Sequence, residues 1–326
     1  MEHFRWGLIG PGRIAENFAQ ALTVIDDAEL YAIASRNKQR ASNFANKYKI
    51  ENIYLDYNEL VNDGKIDAVY IATPHRFHYE QIKLCLEAGK AVLCEKPLTV
   101  NAAQSQELML LAKSKDLFLM EAVWTRFLPI YKQVRNWLDT GVIGEVKSLQ
   151  SNFGFCIPKD LDDRLYNHDL AGGTLLDMGI YNITVSQWVY GENPESIQAT
   201  SLLTETEVDE HTSVNMEYSD GRFSQFTCSF MAKHRNDFCI YGTKGQIKIH
   251  DMFWCTNKAT LVTESETLTI DKPFRSTGFE YEIEEAMSCI RGGLLESPGI
   301  THQDTLATMT VMDTVRQQVG QKYHFE

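Results

Sequence analysis

Apolar residues come in short runs through the first third of the chain, each followed by a segment where they recur three or four positions apart. Phe4 to Ile9 reads as a strand, and Ile14, Phe18, Ala21 and Leu22 mark one face of a following helix. Further strands are expected at Glu29 to Ala34, Ile53 to Leu55, Ala68 to Ala72, Ala91 to Cys94 and Leu117 to Met120. Helices are expected at Asn37 to Tyr48, Tyr57 to Asn62, Phe77 to Glu87 and Ala102 to Ala112. Strand and helix in regular turn predict a parallel, doubly wound sheet.

Beyond a helix at Leu128 to Leu138, closed by Thr140-Gly141, strand-like runs follow one another. They are Glu145 to Phe155, Ser196 to Leu203, Thr212 to Tyr218, Arg222 to Phe230, Phe238 to Tyr241 and Gln246 to His250. Ser219-Asp220-Gly221 and Gly242-Thr243-Lys244-Gly245 are hairpin turns in this reading. Helices at Phe279 to Arg291 and Gln303 to Val319 complete the pattern. The chain is therefore expected to be α/β in two domains: residues 1–121 around the parallel sheet, and 122–326 as an α+β domain with an open, mostly antiparallel sheet.

Composition agrees and narrows the partners. The 326 residues are 44% hydrophobic, ample for two cores, and carry a net charge of −13. That charge excludes the basic footprint of a nucleic-acid or anionic-membrane binder. Seven cysteines, scattered and never spaced C-x-x-C, suggest reduced thiols. The sequence shows no leader and no apolar run of about 18 residues, so a cytoplasmic location is expected.

Between the first strand and its helix stands Gly10-Pro11-Gly12-Arg13-Ile14-Ala15, a G-x-G-x-x-A turn. Gly10 allows the tight turn, Gly12 lets a pyrophosphate approach the backbone, and Ala15 lets helix and strand pack closely, as in a Rossmann domain. The second strand ends Ala34-Ser35-Arg36 rather than with the acid that binds an NAD ribose. Ser35 and Arg36, with Lys38 and Arg40 nearby, suit a 2′-phosphate, which favours NADP and leaves NAD possible.

Ligands of such sheets sit beyond the strand ends, here TPHRFH, CEKPLT and EAVWTRF. Lys96 emerges from one of them, its backbone restricted by Pro97. Farther on, GGTLLDMGIYNIT opens a helix from Leu175 to Val189. Helical stepping puts Asp177, Tyr181, Thr184 and Trp188 on one arc and Gly179, Asn182 and Ser186 opposite. One polar arc can face solvent; the other must face something else.

These motifs together, GPGRIA at 10–15, TP at 73–74, His78, EKP at 95–97 and GGTLLDMGIY at 172–181, resemble those of the Gfo/Idh/MocA oxidoreductase family across essentially the whole chain. MEAVWTRF at 120–127 and DMGIY at 177–181 are most similar to its dihydrodiol dehydrogenase branch, which includes NADP-dependent D-xylose dehydrogenases. The resemblance implies cofactor contacts at Gly10, Gly12, Arg13, Ile14, Ser35, Arg36, Arg40, Thr73, Pro74, His75, His78, Glu95 and Lys96. It implies that Asp177 and Tyr181 meet nicotinamide and substrate, Tyr181 standing where many members carry histidine. It also implies a homodimer or homotetramer formed through the open sheet. The chain departs from the common pattern at His75, where asparagine is usual, and at Thr184, where aspartate is frequent.

The expected chemistry moves a hydride between nicotinamide and a secondary alcohol or carbonyl of a small cyclic polyol, sugar or trans-dihydrodiol. Tyr181 moves the proton, Lys96 favours its phenolate, and Asp177 orients substrate or lysine. Trp124 and Phe153 are candidate apolar walls, and Arg164, in the loop Cys156 to Leu170, is a candidate substrate contact. No sequence spacing gives His168 a ligand partner, and no metal is expected. The alternatives are an inositol or other sugar dehydrogenase and, in another class, a dinucleotide-binding regulator without turnover.

Overall fold

The computed structural model describes residues 3–326, in two compact units. The first runs to Thr99 and takes in Ala103–Trp124 and Arg275–His302; the second comprises Val100–Ala102, Thr125–Phe274 and Gln303–Glu326.

In the first unit the elements alternate: β1 (Phe4–Ile9), α1 (Arg13–Leu22), β2 (Ala28–Ala34), α2 (Lys38–Tyr48), β3 (Asn52–Tyr54), α3 (Tyr57–Val61), β4 (Ala68–Ile71), α4 (His78–Glu87), β5 (Ala91–Glu95), α5 (Ala102–Ser114) and β6 (Leu119–Ala122). The sheet is parallel throughout, in the order β3-β2-β1-β4-β5-β6. Every residue of β4 and β5 is buried, as both-face coverage of a parallel sheet requires. The order reverses between β1 and β4, so the crevice at their carboxyl ends lies among Gly10, Ala72 and Thr73. Trp6 meets the edge of Phe18, and Phe18 stacks on Tyr70 at 3.9 Å, forming the core beneath that crevice.

The second unit holds α6 (Pro129–Asp139), β7 (Val146–Gly154), α7 (Ile180–Tyr190), β8 (Ser196–Leu203), β9 (Asp209–Tyr218), β10 (Arg222–Ser229), β11 (Phe238–Gly242), β12 (Gly245–Ile249), β13 (Lys258–Thr263) and β14 (Thr267–Asp271). Its eight strands run β14-β13-β12-β11-β7-β10-β9-β8. Only β7 and β10 pair in parallel; both expected hairpins form. The strands β13 and β14, whose pattern is weak, extend the sheet beyond the runs anticipated above.

The helix α8 (Glu280–Arg291) belongs to the first unit and α9 (His302–Val319) lies mostly in the second. The segment around α8 therefore returns to the first unit, unlike the division at residue 121. Thr277 Oγ1 donates to the Asn17 carbonyl at 3.0 Å, and Arg291 Nη1 meets Asp27 Oδ2 at 2.6 Å. Such long-range anchoring leaves no local trace. No helix of the described residues is long and apolar enough to cross a membrane.

Candidate active site

Gly10 adopts φ +90°, and a Cβ there would lie 2.7 Å from Thr73 Cγ2, so only glycine fits. Gly12 is the N-cap of α1 and offers no side chain to its first amides. A Cβ at Gly12 would meet nothing nearer than the Gly10 carbonyl at 4.0 Å. The first turn of α1 thus presents uncapped N–H groups to open space, with Arg13 exposed beside it. At the end of β2, Ser35 is buried and its Oγ accepts from the Asn37 amide at 3.2 Å. Arg36, Lys38 and Arg40 are all exposed, and the Arg36 guanidinium lies over the Phe77 ring, 5.3 Å from its centroid. An anion-ready helix end, an unobstructed glycine and three solvent-facing cations fit a dinucleotide.

The TP and EKP loops are tied together from below. His78 is fully buried, and its Nδ1 and Nε2 each lie 2.8 Å from a carbonyl, those of Pro97 and Thr73. Burial pushes its pKa down, Lys96 adds to this, and the two carbonyls pull the other way. With no exposed surface and both nitrogens committed, His78 acts on the site through the loops it joins. Thr73 Oγ1 donates to Gln81, the Leu98 amide donates to Glu121 Oε1 at 2.8 Å, and the Lys96–Pro97 peptide is cis. His75 is buried with its ring edge toward His78.

Glu95 is also buried, accepting the Tyr70 hydroxyl at 2.5 Å. Close by on α8 stands Glu282, wholly buried, with neither carboxyl oxygen hydrogen-bonded among the described residues. Burial and the neighbouring Glu95 push its pKa well up, which favours its protonated form.

In the second unit, Leu175–Gly179 forms a π-helical turn that leads into α7. Such turns are rare and concentrate at functional sites. The turn starts on Asp209, a fully buried carboxylate that accepts from Thr174 Oγ1 at 2.5 Å, the Leu175 amide at 2.8 Å, Thr212 Oγ1 at 2.7 Å and Gln321 Nε2 at 3.0 Å. Burial raises its pKa against the pull of these donors. Asp177 projects from the turn to Arg164, with Nη1 to Oδ1 at 3.1 Å. Tyr181 is buried, its ring 6.0 Å from that of Phe153, which stacks on Trp254 at 3.4 Å.

The reading that one polar arc of this helix can face solvent is corrected: every residue from Ile180 to Gln187 is buried. Asn182 Nδ2 donates to Ser151 Oγ on β7 at 2.8 Å, and Ser186 meets Ser224 on β10 at 2.7 Å. The second arc is therefore a polar seam against the sheet, where Asn182 Nδ2 and Ser186 Oγ find partners. Thr184 is buried on the first arc, while Trp188 stacks under the Arg135 guanidinium.

Among the candidate substrate residues, Phe153 and Arg164 lie in the second unit, whereas Trp124 lies in the first, with its ring on Phe279. Asp209, Glu121, Glu282 and Phe77 escaped the sequence reading. A lone acid in a strand or helix reads as solvent-facing until its burial is known.

Two family models match the chain: an oxidoreductase family with an NAD-binding Rossmann fold over residues 4–123, and the GFO/IDH/MocA C-terminal domain over residues 131–248. Trans-1,2-dihydrobenzene-1,2-diol dehydrogenase of Xenopus tropicalis is 37% identical over 98% of this chain and 99% of its own. The Homo sapiens enzyme of that name is 34% identical over 97% of both. Among solved structures, KijD10, a 3-ketoreductase from Actinomadura kijaniata in complex with NADP and TDP-benzene, superposes with a TM-score of 0.86 at 28% identity, over 98% of both chains. With both domains matched and relatives of this identity along its whole length, the chain belongs to the Gfo/Idh/MocA family of NAD(P)-dependent oxidoreductases.

Proposed function

We propose that the protein is an NADP-dependent dehydrogenase or reductase acting on a secondary alcohol or carbonyl of a small cyclic substrate, a trans-dihydrodiol or a sugar. The observation that carries this reading is the π-helical turn with Asp177 and, one turn later, Tyr181, in a chain 37% identical to a trans-dihydrodiol dehydrogenase throughout its length. The bound nicotinamide supplies or accepts the hydride.

The chain's own residues do the rest. Tyr181 moves the hydroxyl proton of the substrate. A phenol ordinarily titrates near 10, so it needs a cation, and Lys96 is the residue assigned to favour its phenolate. Asp177, already paired with Arg164, orients the substrate or the lysine. Arg36, stacked on Phe77, and Arg40 hold the 2′-phosphate and so select NADP, as the ketoreductase complex contains NADP. Arg13, Ile14, Thr73, Pro74 and His75 line the cofactor's path, with Glu95 beneath Lys96.

The free face of the eight-stranded sheet is the proposed subunit contact. It is polar, with Gln150, Gln198, Asn215 and Gln225 around a depression of about 690 Å³, and it exposes Phe223 and Leu202. Light scattering would give the subunit number.

The test of the chemistry is a panel of trans-dihydrodiols, pentoses, hexoses and inositols with NADP and NAD. Turnover should be seen with NADP, and Tyr181→Phe should lower kcat by about 10²-fold or more while leaving dinucleotide affinity unchanged. Unaltered kcat in Tyr181→Phe would remove its proton-transfer role, and Lys96→Met tests the partner in the same way.

A further inference from the structure

We propose that His168, Asp169 and His324 form a binding site for a divalent cation of the Zn²⁺ class. Their candidate ligand atoms all lie within 4.8 Å of one another, although His324 stands 155 positions or more along the chain from the other two. The three residues belong to the second unit and take no part in the reaction proposed above.

The backbone around them is fixed. Asn167 caps the short turn His168–Leu170 by accepting from the Asp169 amide at 2.8 Å, and Ala171 ends it at φ 56°. The segment after α9 is pinned on either side of His324. Tyr323 is fully buried, its hydroxyl donating to the Gly172 carbonyl at 2.5 Å, and Glu326 pairs with the buried Arg316. His324 itself is exposed, its ring stacked on that of His168 with centroids 5.1 Å apart.

The hydrogen bonds assign the nitrogens. His168 Nε2 lies 3.0 Å from the Lys322 carbonyl, which can only accept, so Nε2 carries the proton. The Nδ1 of the neutral ring is then a lone pair, and a backbone carbonyl holding the other nitrogen is the usual support of a metal-bound imidazole. That Nδ1 faces His324 Nδ1 at 3.1 Å, while His324 Nε2 lies 3.6 Å from Asp169 Oδ1. Two ligands about 2.0–2.1 Å from a tetrahedral zinc stand about 3.3 Å apart, so the spacings suit a shared ion after a small rotation of His324. Two imidazoles and one carboxylate select a borderline transition ion over magnesium or calcium, and leave a position for water. Binding would cross-link the segment after α9 to the loop that carries Arg164.

The test is calorimetric titration of the metal-free full chain with Zn²⁺, in a Cys156→Ser background because that thiol is exposed and would compete. One equivalent should bind with a Kd well below millimolar and raise Tm. His324→Ala and His168→Ala should abolish both effects, and Asp169→Ala should weaken binding by about tenfold or more. The metal-free Tm of His324→Ala should equal that of its parent, which separates loss of the ligand from loss of the fold. Equal Zn²⁺ binding in His324→Ala and its parent, or no binding tighter than millimolar in the parent, would overturn the proposal.

Discussion

Thr174 Oγ1 donates to Asp209 Oδ2 at 2.5 Å, and the Leu175 amide reaches the same oxygen at 2.8 Å, so one buried carboxylate from β9 holds the first residues of the turn that carries Asp177. The fit is close: a Cβ at Gly173 would collide with Asp209 Oδ1. Asp209→Asn keeps the volume but loses an acceptor for at least one of four donors. It should cost about 1–3 kcal/mol in urea unfolding. Turnover should fall while dinucleotide affinity, a property of the first unit, stays at the parent value.

Gly10 and Gly12 stand two residues apart but fail in different ways. Gly10→Ala meets both a positive φ and Thr73, so it should destabilise the fold by about 1–3 kcal/mol. Gly12→Ala places its methyl in open space and should leave Tm within about a degree, yet weaken dinucleotide binding because the group projects where the pyrophosphate is expected. Thermal unfolding beside fluorescence titration with NADPH distinguishes the two.

Selection between cofactors should rest on Arg36. Arg36→Ala removes the charge stacked on Phe77 and should raise the Kd for NADPH by about 10- to 100-fold, with little change for NADH. Equal losses for both cofactors would place Arg36 outside 2′-phosphate recognition.

Glu282 gives a pH dependence of known sign. Its folded pKa lies well above the ordinary 4.5, because of burial and Glu95, so the folded state retains a proton that the unfolded state releases. Its contribution to stability is complete below about pH 4.5 and declines as pH rises toward the folded pKa, by about 1.4 kcal/mol for each unit. Glu282→Gln removes this decline, so the variant should be the more stable protein at pH 8 and lose that advantage near pH 4. Paired urea titrations at the two pH values check it.

The order of elements and the dinucleotide cradle were legible because both are written locally. A 3.6-residue or 2-residue period identifies each helix or strand, and Gly10, Gly12 and Ala15 fall within a turn only six residues long. The hairpin turns at 219–221 and 242–245 were legible for the same reason. The polar arcs of α7 were misjudged because periodicity reports which side chains share a face. It does not report what that face meets, and here Ser151 and Ser224 wait on the sheet to pair with Asn182 and Ser186.

The sequence by itself determined the fold class, the family, and the residues that stand at the strand ends and on the helix that follows Gly172-Gly173. Only the tertiary structure decided that His78 joins two loops, that Asp209 starts the π-helical turn, that Glu282 lies buried beside Glu95, and that His324 comes back to His168. Each of these depends on residues far apart in the chain. Burial and the partner supplied by a distant element decide whether a polar side chain is solvated, protonated or fixed, and neither is encoded in its immediate neighbours.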